Sequence, residues 1–91
     1  MKTSAKVIIH GRVQGVWFRA STKQKAEQLG IMGWVRNTEG GCVEAVFEGE
    51  GNQVEKMIEW CHRGPPLAVV NKVEVKNQNP TDVFDNFSIK Y

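Results

Sequence analysis

Gly11-Arg12-Val13-Gln14-Gly15-Val16-Trp17-Phe18-Arg19 joins two segments of different periodicity. Before it, Val7-Ile8-Ile9 reads as an apolar strand; after it, a helical pattern runs to Leu29 and stops at Gly30. A glycine-bearing loop that leaves a strand and opens a helix turns several backbone N–H groups toward one point, which favours an anion. Arg19, where loop meets helix, adds a planar guanidinium able to grip two phosphate oxygens. The stretch therefore predicts a phosphate cradle. A plain Gly-Arg turn has the same local pattern, and generic rules do not separate the two. They do set aside the common nucleotide loops. No lysine and hydroxyl residue follow Gly15 directly, and Gly11 and Gly15 do not supply the three glycines of a dinucleotide fingerprint.

Working outward, the first strand spans about Ala5 to Gly11, with Val7 and Ile9 on one face and Ile8 and His10 on the other. The first helix, about Phe18 to Leu29, aligns Phe18, Thr22, Ala26 and Leu29 along one stripe. A second strand, about Gly33 to Thr38, turns through Glu39-Gly40-Gly41 into a third, about Cys42 to Glu48. Asn52 is placed to cap a second helix, with Glu55 completing a capping box. That helix runs to about His62, aligns Val54, Met57, Ile58 and Cys61, and meets Gly64-Pro65-Pro66 as a stop. A fourth strand, about Val69 to Val75, is expected to carry Val69, Val73 and Val75 on one face. A short loop with Pro80 then leads to a last strand in which Phe87, Ile89 and Tyr91 alternate. The order is β-α-β-β-α-β plus a short terminal strand. It predicts an α/β (α+β) ferredoxin-like sandwich, two helices on one face of a mostly antiparallel sheet.

A chain of 91 residues has room for one core, so residues 1–91 are expected to form a single domain. Its apolar runs are far shorter than the roughly 20 residues that span a bilayer, and Met1-Lys2-Thr3-Ser4 leads straight into a strand without a secretory apolar region. The expectation is a cytoplasmic chain with no membrane partner, in which Cys42 and Cys61 are free buried thiols. Residues 1–36 hold seven Lys/Arg against one Glu, and residues 37–91 five against nine acidic residues. The cradle thus lies in the basic part of the sequence, although folding interleaves both parts in one sheet.

The string Gly11 to Arg19 closely resembles the signature of the acylphosphatases. A second block of that family is matched by Gly33-Trp34-Val35-Arg36-Asn37-Thr38 and Gly41-Cys42-Val43-Glu44, and further matches are Gly64-Pro65-Pro66 and Phe87-Ser88-Ile89-Lys90-Tyr91. The likeness runs in family order from about Val7 to Tyr91. Cys42 stands where a small hydroxyl residue is frequent, and the connection from Asn77 to Asp85 is a variable one. The resemblance implies the ferredoxin-like architecture and hydrolysis of acyl phosphates to carboxylate and inorganic phosphate, with no cofactor and no metal. It implies that Arg19 binds the phosphate and that Asn37 orients the attacking water. The cradle is expected from the backbone amides of Gln14, Gly15, Val16, Trp17, Phe18 and Arg19, with Gly15 allowing close approach. Inorganic phosphate or sulfate should compete with substrate, and the expected state is a monomer.

The chemistry fits so sparse a site. The departing carboxylate belongs to an acid of pKa about 4, so no side chain need protonate it. Positioning a water and stabilising phosphoryl charge covers most of what remains. Asn37 could equally be a turn residue, Arg19 a surface ion-pair partner, and Arg12 a solvated loop cation. Phe18 reads as core, Trp17 as partly exposed. His10 and His62 show no zinc-ligand spacing, and Cys61 reads as core. Glu44, Glu48 and Glu50 read as a solvated face. An RNA-recognition module shares the element order but needs stacking aromatics on its third strand, where this chain has only Phe47 between glutamates; no nucleic-acid partner is expected. A related domain that binds phosphate compounds without turnover is the other reading, against which the intact Arg19 and Asn37 stand.

Overall fold

Alternation along the first strand gives Ala5, Val7 and Ile9 to the core and Lys6, Ile8 and His10 to the opposite face. The computed structural model describes residues 1–91 as β1 (Lys2–Arg12), α1 (Phe18–Gln28), β2 (Met32–Asn37), β3 (Val43–Glu50), α2 (Gly51–Cys61), β4 (Val69–Gln78) and β5 (Phe87–Ile89). The sheet order is β4-β1-β3-β2-β5. Every pairing is antiparallel except that of β2 with β5. Phe18 and Ala26 of α1, with Val54, Met57 and Cys61 of α2, close over Val7, Ile9, Val35, Val43, Ala45 and Phe47 in one apolar cluster. Both helices therefore cover one face of a mostly antiparallel sheet, the two-layer arrangement the element order predicts. No helix is long and apolar enough to cross a membrane.

Four expectations need correction. Glu44 and Glu48 are buried, at 6% and 2% exposed, rather than part of a solvated face. Their strand is the central one, so side chains of β1 and β2 flank it on both sides. Glu44 accepts from Arg36 Nε at 2.7 Å and pairs with Lys6 Nζ at 3.1 Å. Glu48 accepts from the Thr81 amide at 3.0 Å and the Asp82 amide at 2.9 Å, which folds the loop before β5 over that end of the sheet. Burial pushes both carboxyls up, but these partners outweigh it and hold each below the ordinary value of 4.5. Glu50 alone of the three is exposed. Phe47, the aromatic of the third strand, faces the helices and is fully buried.

Asn52 does not cap α2. The N-cap is Glu50, in extended backbone and without a side-chain cap bond. The Gly51 amide instead donates to the Met1 carbonyl at 2.9 Å, and the Glu50 carboxylate pairs with the terminal ammonium at 2.9 Å. The start of β1, brought alongside by the sheet, takes over a role that sequence spacing gave to Asn52.

The expected face of β4 is also broken. Its register with β1 shifts between His10 and Gly11, pairing them with Lys72 and Val70 and leaving Asn71 over. Gly11 permits this with φ +129°, where a Cβ would meet the Val69 carbonyl. Val70 then takes the core side in place of Val69, which is exposed, whereas Val73 and Val75 keep one face opposite Ile9 and Val7, with Val75 exposed toward the sheet edge. Cys61 is buried as expected, but Cys42, just before the central strand, is only half-buried; both are free thiols.

Candidate active site

The loop between β1 and α1 is anchored by what it buries. Val13, Val16 and Phe18 point into the core, and the Phe18 ring meets Trp60 edge-on at 5.6 Å. Between these anchors the backbone alternates in hand: Gly15 has φ +75° and Trp17 φ +66°, whereas Gln14 and Val16 stay at negative φ. Such alternation turns successive N–H groups to the same side. None of the amides of residues 14–19 donates to a protein acceptor, and the first helical bond runs from the Ser21 amide to the Trp17 carbonyl at 3.0 Å. A left-handed tryptophan costs about 1 kcal/mol, and its ring is 76% exposed, so packing does not explain the conformation. The loop is built to keep its amides free.

Arg19, on the first turn of α1, is half-buried and makes no ion pair, which removes the surface salt-bridge reading. Its guanidinium lies 5.1 Å from the centre of the exposed Tyr91 ring, within cation–π range. Arg12 is exposed and likewise unpaired, as a solvated loop cation should be.

Asn37 ends β2 opposite Val43. By strand alternation its side chain shares the helix-facing side with Val35. Its Oδ1 is buried and has no hydrogen-bond partner. An acceptor without a partner costs about 1–3 kcal/mol when buried, and Gln53 Oε1, away from the cleft, shares that state. Asn37, Gly15, Trp17 and Arg19 border one cleft of about 290 Å³, with Ile89 and Tyr91 as its apolar wall. Donors and a cation on one side and a lone acceptor on the other suit a small anion with a water beside it.

The structure thus brings Gly15, Trp17, Phe18, Arg19 and Asn37 to one cleft, whereas Gln14 and Val16, the other two residues expected to supply amides, do not border it. Three contributors were missed. Gln14 was credited with its amide alone, yet its side-chain Nε2 donates at 2.8 Å to both the Thr38 and the Cys42 carbonyls. Ile89 and Tyr91 join the site because β5 lies parallel to β2 with Ile89 opposite Val35. Their alternation was legible in sequence; the strand beside which they would lie was not.

The acylphosphatase family model matches residues 5–89. Over 85 residues the chain is 54% identical to the acylphosphatase of Roseiflexus sp. (strain RS-1), covering 93% of this chain and 91% of that protein. It is 46% identical over 90 residues to the acylphosphatase of Pelotomaculum thermopropionicum, with 99% and 98% covered. The crystal structure of acylphosphatase from Bacillus subtilis matches at a TM-score of 0.94 and 33% identity, covering all of both chains. With sequence, architecture and near-complete mutual coverage in agreement, the chain belongs to the acylphosphatase family.

Proposed function

We propose that this acylphosphatase cleaves the carboxyl–phosphate bond by in-line attack of one water, with Arg19 and the amides of residues 14–19 holding the phosphoryl group and Asn37 holding the water. The observation that carries the reading is that the loop with its free amides, Arg19 and Asn37 border one cleft. The amides and guanidinium hold the phosphoryl oxygens and stabilise charge as it redistributes. The Asn37 carboxamide, which borders the cleft and offers both an acceptor and donors, holds the water toward phosphorus without adding negative charge near phosphate. As the P–O bond to the acyl group breaks, the carboxylate leaves unprotonated, because its acid is strong enough to need no help. The water's proton passes to a phosphoryl oxygen of the substrate. The acyl group lies toward Trp17 and the Ile89–Tyr91 wall.

On this reading the small-molecule acyl phosphate is the substrate, inorganic phosphate or sulfate competes at the cradle, and a monomeric, single-domain chain acts in the cytoplasm without a metal. Hydrolysis of benzoyl phosphate in ¹⁸O-water with a chelator present tests it. The label should enter inorganic phosphate and leave the benzoate unlabelled. Label in the benzoate would place attack on carbon and overturn the mechanism, as would loss of turnover on chelation.

A further inference from the structure

On the sheet face away from the helices, side chains from three adjacent chain segments meet beside the β2–β3 turn. Cys42, just before β3, has its Sγ 3.2 Å from His10 Nδ1 on β1. The other ring nitrogen, His10 Nε2, lies 3.0 Å from a carboxylate oxygen of Glu74 on β4. An ionised carboxylate only accepts hydrogen bonds, so Nε2 carries the ring hydrogen and Nδ1 presents its lone pair to the thiol. The His10 hydrogen bond, followed by that of Lys72, holds the Glu74 carboxyl below its ordinary value, consistent with an acceptor that stays charged. Lys72 Nζ sits 3.3 Å from the second Glu74 oxygen and fixes it further. None of these residues borders the hydrolytic cleft. With its two nitrogens turned to different partners, the imidazole bridges cysteine and glutamate and does not converge with them on a shared ion.

We propose that Cys42, His10 and Glu74 act as nucleophile, base and orienter, making Cys42 a site of exchange with small disulfides. The Cys42 sulfur attacks one sulfur of the disulfide as its proton moves to His10 Nδ1. A new S–S bond to Cys42 forms while the incoming S–S bond breaks, and the second half leaves as a thiolate. Cys42 is thereby oxidised to a mixed disulfide and the departing half is reduced. Glu74 holds the ring in register and stabilises the imidazolium that forms. Cys42 is half-buried and so within reach of a small reagent, whereas Cys61 is enclosed in the core, where burial pushes its thiol up and out of reaction.

The folded protein is mixed with 5,5′-dithiobis(2-nitrobenzoate) and release of thionitrobenzoate is followed in time. One thiol should react about tenfold or more faster than the thiols of the same chain in urea, and Cys42→Ser should abolish that phase. His10→Gln should slow it by about tenfold while hydrolysis of benzoyl phosphate and the melting temperature hold. Glu74→Gln, whose exposed position spares the fold, should slow it to a smaller extent. A Cys42 that reacts no faster folded than unfolded, or at an unchanged rate in both the His10→Gln and Glu74→Gln proteins, overturns the proposal.

Discussion

The Gln14 side-chain amide donates to the Thr38 carbonyl at 2.8 Å, bridging 24 positions of sequence. Thr38 follows Asn37 directly, so this bond fixes the amide-rich loop against the strand end that carries the lone Oδ1. The same nitrogen reaches the Cys42 carbonyl at 2.8 Å, spanning both sides of the hairpin. Gln14→Ala removes both bonds. The two carbonyls keep other donors, the Gly41 and Thr38 amides, so neither is orphaned. The stability cost should be only about 1–2 kcal/mol. Turnover should suffer more, by about 10–100-fold, because a displacement near 1 Å between reacting groups costs on that order. Urea unfolding and steady-state kinetics on one preparation separate the two effects; an unchanged kcat would show that the clamp does not set the geometry.

Arg19 supplies the only cation on the border of the cleft. Arg19→Ala should lower kcat by about 10³-fold and weaken competitive inhibition by inorganic phosphate. Arg19→Lys should recover only part of this, since an ammonium cannot make the forked contact. Inhibition constants for phosphate that match the wild type would place the anion elsewhere.

Asn37→Ala has the opposite profile for stability. It removes a buried acceptor that has no partner, so the melting temperature should hold or rise, by the equivalent of about 1 kcal/mol. Turnover should fall by about 10²–10³-fold while phosphate inhibits as before, because the cradle is untouched. Joint loss of stability and phosphate affinity would instead mark Asn37 as a structural turn residue.

The buried carboxylates of β3 give the fold a pH dependence. Although burial alone raises them, Glu44 and Glu48 are held below 4.5 by Lys6 and Arg36 and by the Thr81 and Asp82 amides. A group lowered on folding contributes its full stabilisation above the unfolded value and loses it as pH falls through the folded one. Stability should therefore be flat from pH 7 to about 5 and decline below about pH 4.5. Glu48→Gln should be destabilised at pH 7 and show a shallower acid decline than the wild type. Denaturant melts at a series of pH values measure both, and parallel curves for the two proteins would remove Glu48 from the account.

Asn52→Ala tests the helix start. A true N-cap asparagine loses about 1 kcal/mol on truncation. Here Asn52 lies exposed inside α2, beyond the Glu50 cap, where alanine is the better helix former. The variant should match or slightly exceed the wild type in thermal stability. A clear drop would restore the capping box.

Local chemistry wrote much of this protein in its sequence. Strand alternation at Val7 and Ile9, the stripe from Phe18 to Ala26, and the Glu39-Gly40-Gly41 turn are near-neighbour patterns, and each appears in the structure where the sequence placed it. The strand-to-helix turn was legible for the same reason, but local pattern left a cradle and a plain Gly-Arg turn alike, and the family resemblance of Gly11 to Arg19 favoured the cradle. What sequence could not decide were relations between distant segments. Glu44 and Glu48 alternate like surface residues; the central position of their strand buries them and supplies their partners. Asn52 yielded its cap to Met1 because the sheet carries the chain terminus there. Tyr91 meets Arg19 only because β5 docks parallel to β2. Periodicity and turn chemistry depend on backbone geometry over a few residues, whereas burial and partnership depend on which strands become neighbours, and that is settled by packing of the whole chain.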